Sequence, residues 1–119
     1  MPRKKRKANK FAVDEYLYSV GWSGTDNVFV GRVAEFSLLA AHGATLEAAL
    51  AEIKSVVGLI LDDLAESGEE TPVPLSRKEF SGKLNLRMPK SLHRQLSIAA
   101  AQQGVSLNQL INARLASQS

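Results

Sequence analysis

Lys83-Leu84-Asn85-Leu86-Arg87-Met88-Pro89 alternates without a break. Leu84, Leu86 and Met88 share one side of an extended chain. Lys83, Asn85 and Arg87 share the other, because successive side chains of a strand face opposite ways. Pro89 has no N–H to give to a ladder and ends the pattern. From there to the end of the chain the apolar spacing is helical. Ser91 is a candidate cap for a first helix, with Leu92, Leu96, Ala99 and Ala100 as its buried stripe. Gly104 supplies a left-handed stop. Ser106-Leu107-Asn108-Gln109 reads as a capping box opening a second helix, whose stripe is Leu107, Leu110, Ile111 and Leu115. One strand followed by two helices leaves the strand's backbone groups without partners. Residues 81–119 are also too few to bury much core alone. Both deficits vanish if two copies pair strand to strand, so a homodimer is expected.

This order of elements resembles the ribbon-helix-helix DNA-binding proteins, the superfamily of Arc and MetJ. The resemblance implies paired strands that enter the major groove of double-stranded operator DNA. Lys83, Asn85 and Arg87 fall on the positions that read bases in that family. Their chemistry suits the role, since Arg bridges guanine O6 and N7, Asn pairs with adenine N6 and N7, and Lys reaches guanine or phosphate. The N–H groups of Ser106, Leu107 and Asn108, at the start of the second helix, are candidates to hold a phosphate.

The charge is divided along the chain. Residues 1–13 hold six basic residues and no acid. Residues 14–70 hold eleven acids against Arg32 and Lys54, a balance of −9. Residues 71–119 hold seven basic residues against Glu79, a balance of +6. A basic end suits nucleic acid, while an acidic middle repels it and suits a basic protein. The chain has no cysteine, which excludes disulfides and thiolate metal sites and is compatible with a reducing cytoplasm. No apolar run is long enough to span a membrane, and the basic start has no apolar stretch after it that would make it a signal peptide. Residues 1–12 read as a basic flexible tail, because the like charges from Arg3 to Lys7 repel one another.

Tyr16, Tyr18, Val20 and Trp22 alternate and predict a strand over 15–22 with an aromatic face in the core. Ser23 to Asn27 is turn chemistry, and Val28 to Val33 is a second strand, giving a hairpin. Phe36 to Ala41 reads as a third strand that Gly43 interrupts. Thr45 caps a long helix in which Leu46, Ala49, Leu50, Ile53, Val56, Val57, Ile60, Leu61 and Leu64 recur at helical spacing, and Gly68 ends it. The expected fold class is α+β, with a three-stranded sheet and helix over residues 13–70. Residues 71–80, with Pro72 and Pro74, read as a linker to the unit at 81–119.

Tyr18-Ser19-Val20-Gly21-Trp22-Ser23 and Ala41-His42-Gly43-Ala44-Thr45-Leu46-Glu47-Ala48-Ala49, followed by Pro72-Val73-Pro74, resemble the HicB family of antitoxins. The likeness runs over residues 16–118. Ser37, Ala44 and Ala48 stand where the family pattern has Pro, Asp and a second Glu. The resemblance implies a partial ribonuclease-H-like first domain that blocks a small basic RNase toxin, HicA. It also implies that the chain represses its own operon through the ribbon-helix-helix unit, as a dimer or tetramer. The exposed acids expected to meet the toxin are Asp26, Glu47, Glu52, Asp62, Asp63, Glu66 and Glu69.

Catalysis is not expected. A two-metal nuclease needs several carboxylates converging on ions about 4 Å apart, and Glu35 is the only acid near the middle of the strand region. His42 and His93 stand alone, so no metal or cofactor is expected. The other reading is an orphan ribbon-helix-helix regulator whose first half binds a different ligand. A short basic reading frame beside this gene would favour the antitoxin.

Overall fold

The computed structural model describes residues 11–118. The basic run from Arg3 to Lys7 lies outside the described residues. The chain is α+β, with a three-stranded antiparallel sheet and three helices. It divides into two compact units, Met1–Phe80 and Ser81–Ser119.

In the first unit a single 3-10 turn, Val13–Glu15, leads into strands β1 (Tyr18–Ser23), β2 (Val28–Val33) and β3 (Ala40–Gly43), in that spatial order. Helix α1 (Leu46–Ser67) follows. The hairpin turn closes through the N–H of Asn27 donating to the Ser23 carbonyl (2.7 Å), with Asn27 in the left-handed region at φ 58°. Asn tolerates that conformation better than most residues. Cross-strand rows alternate between two faces of the sheet. Val20, Gly31 and Ala41 form one row facing α1, and Trp22, Phe29 and Gly43 form the next. Ser19, Arg32 and Ala40, then Gly21, Val30 and His42, line the opposite face, which no helix among the described residues of this unit covers.

Two glycines let α1 lie close on the sheet. A Cβ at Gly31 would come within 2.7 Å of the Ala49 carbonyl oxygen, and one at Gly43 within 2.3 Å of the Ala49 nitrogen. This corrects the expected third strand. Phe36 and Leu39 lie in successive turns, their N–H groups donating to the carbonyls of Val33 and Phe36. The ladder takes Ala40–Gly43 instead, where the helix-facing positions Ala41 and Gly43 are small and bulk at Gly43 would collide with the helix. Gly43 completes the strand rather than breaking it. β1 starts at Tyr18 rather than Glu15, since the segment before it is wound into the 3-10 turn.

The α1 ends match the sequence. Thr45 accepts the N–H of Ala48 through its hydroxyl (3.0 Å), and Gly68 at φ 73° stops the helix. The buried stripe is Ala49, Ile53, Val57, Leu61 and Ala65, a narrower band than the nine positions expected, and Leu46 is exposed. Tyr16, Val33 and Ala41 complete the core. Tyr18 is half-buried, but Trp22 is 56% exposed and packs edge-on against Phe29, with ring centroids 5.1 Å apart.

Residues 71–80, expected as a linker, lie along the first unit as a strap. Pro74 is fully buried. The Tyr16 hydroxyl donates to the Pro72 carbonyl (2.8 Å), and the Ser76 hydroxyl donates to the Glu15 carbonyl (2.8 Å). The Glu35 carboxylate accepts the N–H of Leu75 (2.8 Å) and that of Leu17 (3.0 Å), tying strap and β1 entry together. Arg77 pairs with Glu15 and lies over the Phe11 ring. A Pro-rich stretch looks like a spacer because its burial depends entirely on distant residues.

In the second unit, helix α2 (Lys90–Gln103) packs on helix α3 (Leu107–Ala116). The α2 cap is Pro89, without a side-chain hydrogen bond, and Ser91 lies one residue inside the helix. Proline suits a helix entrance, where its missing N–H costs nothing. Gly104, at φ 69°, provides the expected stop. The core is Leu96, Ala100 and Leu110, with Met88, Ala99, Leu107 and Ile111 packed around it.

Candidate nucleic-acid and partner interfaces

The alternating stretch is extended but unpaired: among the described residues, none from Ser81 to Pro89 enters a β ladder. The reason is physical, since a strand is made by a neighbour and this unit contains no other. The apolar side is correspondingly open, with Leu84 82% and Leu86 56% exposed. Leu92 and Leu115, expected in the helix stripes, are exposed as well. Leu86, Met88, Leu92, Leu96, Ile111 and Leu115 line one groove of about 460 Å³, bordered by Arg87 and Arg114. Four exposed leucines around three buried residues in a unit this small form an unfinished core.

A second hollow brings together residues that are distant in the chain. Asn85 and Arg87 line it with His93 of α2 and with Leu107 and Asn108 at the start of α3. Lys83 is exposed just before it. The capping box forms as its spacing requires. The Ser106 N–H donates to Gln109 Oε1 (2.9 Å), and the Gln109 N–H donates to the Ser106 hydroxyl (3.0 Å). The Ser106 N–H is therefore spent inside the box. The N–H groups of Leu107 and Asn108 stand at the positive end of the helix, beside Arg87, in a geometry suited to an oxyanion.

In the first unit the acids named from the sequence are all exposed. Asp26 caps the hairpin turn, its N–H donating to the Ser23 hydroxyl (3.2 Å). Glu47, Glu52, Asp62, Asp63 and Glu66 lie along α1, and Glu69 follows it. They are spread over the hairpin turn, α1 and its end, and no cluster of His, Asp or Glu fit to hold a metal occurs among the described residues. Glu35 is engaged in holding the strap, a task its position in the sequence did not reveal. The ionisable groups near β1 serve packing too. Tyr18 donates to the Val13 carbonyl (2.8 Å) beneath the Lys54 ammonium. Burial, followed by the nearby Asp14 and Glu35 charges, pushes its hydroxyl up to about 12. The Ala12 N–H, together with Arg77, holds the Glu15 carboxyl below its usual range.

Among the described residues no helix is long and apolar enough to cross a membrane. No curated protein and no solved structure matches the chain. The model of the HicB family matches residues 65–115, which takes in the end of α1, the strap, the alternating stretch, α2 and most of α3 but leaves out the sheet. Over that segment the chain is similar to the HicB family.

Proposed function

We propose that this chain is the antitoxin of a HicAB-type system, built from two binding surfaces and no catalytic centre. In this reading the second unit is a ribbon-helix-helix dimer. Two copies pair Lys83 to Met88 antiparallel, bury Leu84 and Leu86 between them, and turn Lys83, Asn85 and Arg87 towards the major groove. Leu107 and Asn108 N–H groups then hold a phosphate on either side. The observation that carries the reading is the alternation at 83–89: an unfinished apolar core on one side, three base-reading side chains on the other, in the segment that matches HicB. The first unit, taken as a partial ribonuclease-H-like domain, covers a small basic RNase toxin and hides its RNA-binding surface. The balance of −9 over residues 14–70 supports a cationic partner.

Two measurements test the halves separately. Arg87→Ala should cost about 1–3 kcal/mol on operator DNA and relax the preference at one position of each half-site. Removal of Arg3 to Lys7 should weaken all sequences alike. For the first unit, residues 11–80 are co-expressed with the small basic protein encoded beside this gene, and growth is followed. Protection without the DNA-binding unit is expected. Failure of both the fragment and the full chain to protect or to form a complex would favour the orphan regulator, a reading consistent with the HicB match lying outside the sheet.

A further inference from the structure

Strand β1 is an outer strand of the sheet, and its free edge is unguarded. The Ala34 N–H donates to the Leu17 carbonyl (2.9 Å), which fixes the phase of the β1–β2 ladder. Leu17, Ser19, Gly21 and Ser23 turn their backbone groups towards β2. Tyr18, Val20 and Trp22 therefore turn theirs outward, and no strand among the described residues takes them. Edge strands are commonly guarded by a charge, a proline or a bulge. Tyr18–Ser23 has none of these, since it is uncharged and pairs residue for residue with Val28–Val33. The other edge strand, β3, is only four residues long. Trp22 is 56% exposed although it lies on the helix side of the sheet, so the edge leaves a large apolar side chain in water.

We infer that β1 pairs antiparallel with β1 of a second copy, joining two first units into one continuous sheet. The register follows from the phase, because only Tyr18, Val20 and Trp22 have backbone groups to exchange. Val20 opposite Val20 sets each Tyr18 opposite a Trp22. All three outward positions of each strand are then used, in three pairs of about two hydrogen bonds each. A shift that puts Gly21 on the two-fold axis would use only Val20 and Trp22. The fuller register also lays a tyrosine beside each exposed Trp22, a cross-strand aromatic pair. Charge permits the seam. β1 brings no charge to it, and the acids on its approach, Asp14 and Glu15, are paired with Lys54 and Arg77. Residues 14–70 still carry −9 on each copy, a repulsion that is mostly screened at about 150 mM salt, where the screening length is about 8 Å. Five paired residues span only about 17 Å. That is short of a standard interface, so the expected dissociation constant is on the order of 100 μM. The inference goes beyond the toxin and DNA surfaces proposed above and depends on neither.

The test uses the full chain in about 150 mM salt, carrying Leu86→Pro to block strand pairing in the second unit. Trp22 is the only tryptophan of the chain, so its fluorescence reports on this edge alone. Between about 10 μM and about 1 mM, its emission should move to the blue. Over the same range the amides of Tyr18, Val20 and Trp22 should gain protection from hydrogen exchange. Those of Ser19 and Gly21, already in the ladder, should not change. Val20→Pro removes the central pair of bonds but no ladder bond within the protomer. It should weaken association on the order of tenfold or more while the circular dichroism of the protomer is kept. A Cβ at Gly21 meets nothing within 4 Å, so Gly21→Lys fits the protomer and should abolish association by bringing two ammonium groups to the seam. Gly21→Ala should leave association intact. Emission and exchange that ignore concentration overturn the inference. So does a rise shared by all five amides, which would mean burial without strand pairing. Protection that appears only when a different protein is added overturns the second copy as the occupant of this edge.

Discussion

Glu35→Ala should loosen the strap and cost the first unit a large share of its stability. The Glu35 carboxylate accepts two backbone N–H groups, Leu17 at 3.0 Å and 18 positions away, and Leu75 at 2.8 Å and 40 positions away. Hydrogen bonds to a charged acceptor contribute about 1.5–3 kcal/mol each. Glu35 is only partly buried, so solvent competes for both donors and a net loss of roughly 2–3 kcal/mol is the reasonable figure. For a unit of this size each kcal/mol moves the melting temperature by about 4–8 °C, which gives a fall on the order of 10–20 °C. Calorimetry of the full chain measures the fall. Amide hydrogen exchange locates it, because Leu75 and Leu17 should lose protection before the centre of α1. Glu35→Gln should fall between, since its carbonyl can serve one donor while its amide group cannot serve the other. A change below about 0.5 kcal/mol with Leu75 still protected would refute the account, leaving Pro74 burial and the Tyr16, Ser76 and Arg77 contacts as what holds the strap.

Gly43→Ala should destabilise by about 3 kcal/mol, because the new methyl meets helix backbone that cannot turn aside. Gly21→Ala, on the open face with nothing within 4 Å, is the neutral control in the same urea titration. Tyr18 gives a pH signature. Its raised value means that the fold favours the neutral phenol, so this stability is complete below the ordinary value of 10 and is lost as the pH rises through about 12. Ultraviolet titration of tyrosinate should show a late transition near 12 that Tyr18→Phe removes.

Where a structure is decided by neighbours in sequence, the chain was legible. Thr45 and Gly68 bound α1, Ser106 and Gln109 open α3, and Val28 to Val33 is a strand at the expected residues. Where distant residues decide, it was not. The bulky run at Phe36 looks more strand-like than Ala40–Gly43, yet only small residues fit beneath Ala49. Pro74 reads as spacer and is buried. Glu35 was singled out as a lone acid, but its two N–H partners lie in β1's approach and in the strap. The separation of Asn85 and Arg87 from Asn108 in sequence likewise conceals the hollow that they share.

The strap also sets the reach of the molecule. A free segment of ten residues, 71–80, would span roughly 17 Å on average, at about 5–6 Å times the square root of its length. Anchored as far as Arg77, which pairs with Glu15, the chain leaves residues 78–82 as slack, about 12 Å by the same scaling. Effective concentration rises roughly as the inverse three-halves power of tether length, so the shortened tether raises it about threefold. If two copies pair through their second units as proposed, their first units would engage a two-sided partner together. In that proposed dimer, cutting the Glu35 anchor would lower the effective concentration about threefold without altering a single contact residue.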